Sequence, residues 1–349
     1  MQFRNSRKVK IGNIYIGGGE KIAVQSMLNK PASDIEGSVA QAVALEKAGC
    51  EIIRAAVPDM AAVKLIEKLK ENLNVPVVAD IHFDYRLALA SIDAGVDKIR
   101  INPGNIGSFD RVKAVADACA NRGVPIRIGV NAGSLEKELL AEYGSPCAEA
   151  LVKSALKHVE LLERCDFGDT VISIKSSTVN TMVEAYELMA QKCDYPLHLG
   201  VTEAGTHNMA LIKSSIGIGS LLLKGIGDTI RVSMTDDPIK EVKAANDILQ
   251  AIGLKTDYPD IVACPTCGRT KIDLIALANE VEERLAGCKK HIKVAVMGCA
   301  VNGPGEAREA DIGIAGGDGC ALIFRKGETI CKVPESEAVD RLMAEIEKL

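Results

Sequence analysis

Along the first two thirds of the chain, short apolar runs alternate with longer stretches of helical pattern. Eight runs read as strands: Ile22–Met27, Ile52–Val57, Val77–Ile81, Lys98–Pro103, Pro125–Asn131, Asp169–Ser176, Leu197–Glu203 and Asp228–Thr235. Most are β-branched and apolar on both faces, the pattern of parallel strands covered by helices. Helices are predicted between them, among them Asp34–Ala48, Met60–Lys70, Tyr85–Ala94 and Phe109–Asn121. Ser33 or Asp34, Asp59 and Ser108 stand where N-caps are needed, and Gly49, Gly95 and Gly123 where helices end. Eight such units fit the roughly 250 residues of a (β/α)8 TIM-type barrel. The competing architecture, a doubly wound open sheet, is disfavoured because no GxGxxG follows the first strand. One interval between strand starts is 44 residues long and holds GSLEKELLAEYGSPCAE. It reads as a long loop on the face where barrels keep their active sites.

Beyond Thr235 a helix over Asp237–Ile252 is followed by a linker, Gly253–Ile261, and the pattern then changes. A helix (Lys271–Ala286), a buried strand (Lys293–Val296), a hairpin around Arg325–Gly327 and a last helix (Glu335–Lys348) predict a small α+β domain. The expected division is therefore 1–253 for the barrel and 254–349 for the second domain, with a hinge near Gly253–Asp260. The glycine runs at Ile16–Gly19, Gly217–Gly219, Gly225–Asp228 and Gly316–Gly319 lack a phosphate-loop pattern. They read as turns or tight helix packing, with a hairpin turn at Ile16–Gly19.

Composition narrows the function classes. A chain of 349 residues with 47% hydrophobic content can bury a large core without disulfides. Its 11 cysteines are an odd number spread over a long chain, unlike a stapled secreted domain. No apolar run follows MQFRNSRKVK and none approaches the roughly 18 residues of a membrane span, so a soluble cytoplasmic protein without a signal peptide is expected. A net charge of −5, 3% aromatic content and the lack of a basic run argue against nucleic acid.

The predicted strands carry charge where a packed core has none. Arg54, Arg100, Arg127, Lys175 and Arg231 each lie within or at the end of an apolar strand. Buried cations need partners, and only Asp80 and Glu203 occupy comparable places. Five cations near strand C-termini point to an anion carrying several phosphoryl groups, with Asn131, Ser233 and Asn102 as neutral hydrogen-bonding neighbours. Asp80 and His82 end the third strand, His198 begins the seventh and Glu203 ends it, so these are the candidate acid–base groups. A core role is the alternative for His198. Lys175 also admits a Schiff base with a carbonyl substrate, which makes a barrel lyase the second reading.

In the second domain, Cys264 and Cys267 form a C-x-x-C, and Cys299 ends an apolar strand before a loop broken by glycine and proline. The other eight cysteines read as small buried hydrophobes, with Cys288 and Cys320 as possible fourth ligands. Three thiolates admit a structural zinc, a redox dithiol or an iron–sulfur cluster with one iron left open.

The ordered set ADIHFD, KIRINPGN, RIGVNAGSL, GVTEAG, GIGDTIRVSMT, CPTCGR and MGCAVNGPGEA resembles the (E)-4-hydroxy-3-methylbut-2-enyl diphosphate synthase family of the methylerythritol phosphate route to isoprenoids, over nearly the whole chain. The resemblance implies the two-domain bacterial form, with a [4Fe–4S] cluster on Cys264, Cys267, Cys299 and Glu306. It also implies two-electron ring opening and dehydration of 2-C-methyl-D-erythritol 2,4-cyclodiphosphate. Arg54, Arg100, Arg127, Asn131, Lys175, Arg231 and Ser233 would then hold the diphosphate, and Glu203 would be the leading acid–base or orienting group. Reduced flavodoxin or ferredoxin as donor, and a homodimer in which one chain's cluster domain caps the other's barrel, are further implications.

Overall fold

The structure is a computed structural model that describes residues 2–299 and 308–349. The chain divides into two compact units, Met1–Ile252 and Gly253–Leu349.

The first unit opens with a small antiparallel hairpin, β1 (Val9–Ile11) and β2 (Ile14–Ile16). The eight barrel strands follow: β3 (Ala23–Met27), β4 (Ile52–Ala56), β5 (Val77–Asp80), β6 (Lys98–Ile101), β7 (Ile126–Asn131), β8 (Thr170–Lys175), β9 (His198–Leu199) and β10 (Thr229–Ile230). All their pairings are parallel, in the order β8-β7-β6-β5-β4-β3-β10-β9. A parallel bridge from Ile172 to Leu197 joins the two ends and closes the barrel. Closure satisfies every strand edge, and the apolar outer faces are covered by helices.

Helix entry follows the cap chemistry read from sequence at Asp34 and Asp59 but not at Ser108, whose side chain makes no capping hydrogen bond before Phe109–Arg122; Asp84 is a cap the sequence reading missed. Asp34 accepts from the Gly37 amide before the helix Ile35–Lys47, and Asp84 accepts from Arg86 before Tyr85–Asp93. Asp59 acts one turn early, bonding the Ala62 amide 2.9 Å away ahead of Val63–Asn72. Gly123 closes Phe109–Arg122 in the left-handed conformation, at φ +64°. The 44-residue interval holds a short helix, Lys137–Tyr143, before the barrel helix Ala148–Glu163.

Two sequence expectations change. The hairpin turn lies at Gly12–Asn13, and Ile16–Gly19 instead leads out of β2 through three glycines with positive φ. Strands seven and eight are only two residues each. Past Leu199 the chain runs so close to its neighbour that a Cβ on Gly200 would stand 2.7 Å from the Arg231 carbonyl, and Glu203 then turns it at φ +50°.

Beneath the barrel, Val9, Ile11 and Ile16 of the hairpin pack on Ala23, Ile52, Val78 and Val171 from the strand starts. This apolar plug closes the N-terminal end and leaves the C-terminal end as the approach for a ligand.

The second unit is a five-stranded sheet in the order β11 (Asp260–Ala263), β12 (Lys293–Met297), β13 (Ile312–Gly317), β14 (Cys320–Arg325) and β15 (Glu328–Pro334). The first three strands are parallel and the last two antiparallel. Asp260 and Ile261, expected in the linker, begin β11. Leu277, Val281, Leu342 and Ile346 of the helices Leu274–Leu285 and Ala338–Glu347 pack on Val294, Ile312, Ile314 and Ile323. The β14–β15 turn has positive φ at both Lys326 and Gly327, as a two-residue hairpin requires. Among the described residues no helix is long and apolar enough to cross a membrane.

Candidate active site

Side chains of a strand alternate between faces, so residues two apart share the barrel interior. Along that inward face the chemistry changes with height. Ile52 and Val78 belong to the apolar plug, and two residues later stand Arg54 and Asp80. Ala23 leads to Gln25, and Val171 leads to Ser173 and Lys175. The sheet register sets Arg100 beside Asp80 on one side and Arg127 on the other.

Asp80 is the hub. Its two oxygens accept from Arg54 Nη2 at 3.0 Å and Arg100 Nη1 at 3.1 Å. Burial pushes this carboxyl up, but the two guanidiniums outweigh it and hold the group well below the usual carboxylate range. Arg100 also reaches the Gly129 carbonyl at 3.4 Å. A Cβ on Gly129 would collide with the Arg100 guanidinium, so the glycine is what lets that cation lie flat against β7.

Arg127 is fully buried, and its Nη1 donates to Gln25 Oε1 at 2.9 Å. Its Nε and Nη2 have no partner among the described residues. Arg231 meets Glu241 at 3.4 Å; that carboxylate also accepts from Ser26 Oγ and the Met234 amide. Among the described residues no carboxylate pairs with Lys175. Its pKa falls well below the ordinary lysine value, first by burial and then by Arg54, Arg100, Arg127 and Arg231. The Asn131 Oδ1 is buried at the end of β7 without a partner among the described residues, and Ser233 is half-buried beyond β10.

Two participants escaped the sequence reading. Lys98 is fully buried with an Nζ that has no partner among the described residues, and burial, then Arg127 and Arg54, depress its pKa strongly. Its signal was available, because it stands two residues before Arg100 on the same strand face. Glu241 lies on the helix Pro238–Ala251, and nothing in its local sequence separates it from a surface acid. In all, Arg54, Lys98, Arg100, Arg127, Lys175 and Arg231 face two paired carboxylates, Asp80 and Glu241. Four of these cations are buried and Lys175 and Arg231 are half-buried, and this excess of positive charge inside the barrel calls for an anion.

The candidate acid–base groups separate by depth. His198 is buried within the barrel, with Nδ1 2.7 Å from Thr229 Oγ1. Burial and then Arg127, Lys98, Lys175 and Arg54 drive its pKa far down, so its imidazole is neutral. The Tyr186 hydroxyl donates to the His198 carbonyl and accepts from the Ile174 amide. His82 and Glu203 are exposed on the loops after β5 and β9, at the C-terminal end. The His82 ring lies 6.0 Å from that of Phe83.

In the second unit, β11 and β12 run parallel with Ala263 beside Val296. Cys264 follows the first strand directly and Cys299 follows the second by two residues, so one sheet edge carries both. The Gly298 amide donates to Cys264 Sγ at 3.2 Å. The Arg269 backbone amide, and then its side chain, lower the Cys267 thiol. Thiolates receiving N–H donors at strand ends suit a soft metal or an iron–sulfur cluster. Among the described residues no three ligating groups converge on a single metal position, and Glu306 lies outside the described residues. All eleven cysteines are free. Cys288 packs on the hydrophobic core, and burial pushes the Cys50 and Cys119 thiols up to about 12.

Residues 6–246 match the family described as GcpE TIM-barrel domain, and residues 260–348 match the GcpE protein C-terminal domain. The chain belongs to the GcpE family. Curated relatives of this GcpE chain include the 4-hydroxy-3-methylbut-2-en-1-yl diphosphate synthase (flavodoxin) of Clostridium perfringens, 59% identical over 349 residues and 100% of both chains. The synthase of the same name from Caldanaerobacter subterraneus subsp. tengcongensis is 58% identical over 344 residues, 99% of this chain and 97% of the relative. These names give the Schiff-base lyase reading no support. Among solved structures, dihydropteroate synthase from Stenotrophomonas maltophilia has a TM-score of 0.52 at 16% identity, covering 71% of this GcpE chain and 98% of its own. The 3-dehydroquinate dehydratase of Geobacillus kaustophilus has a TM-score of 0.52 at 15% identity, covering 72% and 100%. At such identities the likeness is one of barrel fold alone.

Proposed function

We propose that this GcpE chain opens the ring of 2-C-methyl-D-erythritol 2,4-cyclodiphosphate reductively and dehydrates it to (E)-4-hydroxy-3-methylbut-2-enyl diphosphate. Two electrons and two protons enter, one carbon–oxygen bond to the diphosphate breaks, and a hydroxyl leaves as water. The observation that carries this reading is the set of six cations inside the barrel, four buried and two half-buried, against two carboxylates.

Arg54 and Arg100, held in place by Asp80, with Arg127, Lys175 and Arg231, bind the diphosphate and stabilise its charge as it becomes a leaving group. Asn131 and Ser233 supply neutral hydrogen bonds. Asp80 positions these cations and stays ionised throughout. His198 remains neutral beneath them and orients. Glu203 and His82 stand at the mouth, where a proton can be delivered to the departing hydroxyl. A [4Fe–4S] cluster held by Cys264, Cys267, Cys299 and Glu306 would supply the electrons one at a time. Flavodoxin is the donor, matching the word carried in the relatives' names. The enzyme works as a homodimer in the cytoplasm, where its eleven thiols stay reduced.

The test is anaerobic purification with iron and sulfide analysis, then turnover of the cyclodiphosphate with reduced flavodoxin. Iron with acid-labile sulfide and product formation are expected. Arg127→Met should weaken cyclodiphosphate binding about 10- to 100-fold, as loss of a charge-assisted hydrogen bond does. Zinc alone, or iron-loaded protein that leaves the cyclodiphosphate intact, overturns the reading.

A further inference from the structure

Two loops at the C-terminal end of the barrel lean on one turn of one helix. The helix Ala148–Glu163 packs on β7 and β8 and carries Ser154 and His158, four residues apart and so on one face. Both are buried, at 1% and 4% exposure. From the loop after β7 the half-buried Glu136 reaches both. Its Oε2 accepts from Ser154 Oγ at 2.7 Å, and its Oε1 stands 3.3 Å from His158 Nε2. From the loop after β6 comes the short turn Pro103–Ile106. A Cβ on Gly104 would stand 2.6 Å from His158 Cε1, so the imidazole ring fills the space before that glycine and backs the turn.

The roots of these two loops give the contact a purpose. Asn102 follows β6, and its side chain accepts from the Gly104 amide at 3.1 Å, so the ring that backs Gly104 also fixes Asn102. Asn131 ends β7, five residues before Glu136. Both asparagines continue the inward-facing series of their strands, Asn102 two residues beyond Arg100 and Asn131 four beyond Arg127. Leu135 and Leu139 are buried and tie the loop after β7 down without help from Glu136. Apolar contact is non-directional, so it holds the loop without fixing its placement. A carboxylate facing two polar groups on one helix turn does fix it. Burial, against the pull of Glu136 and with that of Lys157, lowers the His158 pKa, so the ring is neutral and the contact is polar rather than a buried ion pair.

We propose that Glu136, Ser154 and His158 form a positioning latch that aims Asn131 and Asn102 at the phosphoryl oxygens of the substrate. The three act through the asparagines and not on the substrate. The latch rests on the diphosphate-binding reading above and adds to it the residues that orient its neutral hydrogen bonds.

The test uses the full-length iron-loaded protein and two readouts. Glu136→Ala should raise KM for the cyclodiphosphate about tenfold while kcat changes less than about twofold, because the hydrogen bonds it misplaces hold the substrate before and during reaction alike. In the protein without substrate, amide hydrogen exchange over residues 132–147 should lose about tenfold protection, with β7 and β8 unchanged. Glu136→Gln keeps an acceptor for Ser154 and an amide for the neutral His158, so it should restore both readouts. Ser154→Ala, which removes one hydrogen bond, should move both in the same direction and serves should Glu136→Ala fail to fold. Unchanged KM together with unchanged exchange overturns the latch, as does a Glu136→Gln variant as impaired as Glu136→Ala. A wild type that leaves the cyclodiphosphate intact overturns the functional reading instead, and the exchange of residues 132–147 in the three variants then decides the latch alone.

Discussion

Asp80 shows how one buried residue organises this site. Its carboxylate is shared by two guanidiniums, so removing its charge leaves Arg54 and Arg100 buried and uncompensated. Asp80→Asn is expected to cost about 3–5 kcal/mol at neutral pH, measured by urea denaturation. The sign of its pH dependence follows from the depressed folded-state pKa. The contribution is full above the unfolded value of about 3.9 and disappears as pH falls through the lower folded value, so the gap between wild type and variant should close only in strong acid. Lys98 gives a slope of the same sign in an alkaline window, because there it is the charged form that burial disfavours. Its folded pKa lies below the unfolded value of about 10.4, so the unfolded chain binds more protons and stability rises with pH across that window. Lys98→Met should flatten that rise and stabilise the ligand-free protein by about 1–3 kcal/mol at pH 7. An unchanged pH slope would show that Lys98 is compensated in solution.

At the scale of elements, the site depends on how strands end. β9 is short, and the chain beyond it turns at Glu203 with φ +50°, a left-handed conformation that a glutamate adopts at a cost. That strain sits where the candidate proton donor is presented. Glu203→Gly should therefore raise stability by about 1 kcal/mol while lowering turnover of the cyclodiphosphate; lower stability would mean that the carboxylate itself is holding the loop. In the second unit, two parallel strands end together and bring Cys264 and Cys299 to one edge, although 34 residues separate the position of one from the other. Topology rather than local motif makes that pairing.

For the molecule as a whole, two separate cores imply separable stability. The barrel unit has its own plug and helix shell, and the second unit has its own two-sided sheet core. Calorimetry should resolve two transitions, and cyclodiphosphate, which the proposal places on the barrel cations, should raise the barrel's transition the more. A single two-state transition would refute the separation. The whole-molecule charge of −5 conceals this arrangement, since acids on the surface outnumber the cations gathered inside.

Much of this was legible in one dimension. The β-branched runs, their spacing and the capping residues determined an eight-unit barrel, because local propensity and period agree along the chain. Arg54, Arg100, Arg127, Lys175 and Arg231 were legible because a cation inside an apolar run contradicts its surroundings. What only the tertiary structure decided is which charges answer one another. Glu241 pairs with Arg231 and Gln25 with Arg127 across the barrel, and among the described residues Lys98 is left with no partner. The true ends of β9 and β10, the hairpin turn at Gly12–Asn13 and the apolar outer face of His207–Leu223 likewise depend on neighbours far away in sequence. Local pattern encodes the element; burial and charge pairing exist only once the chain has closed on itself.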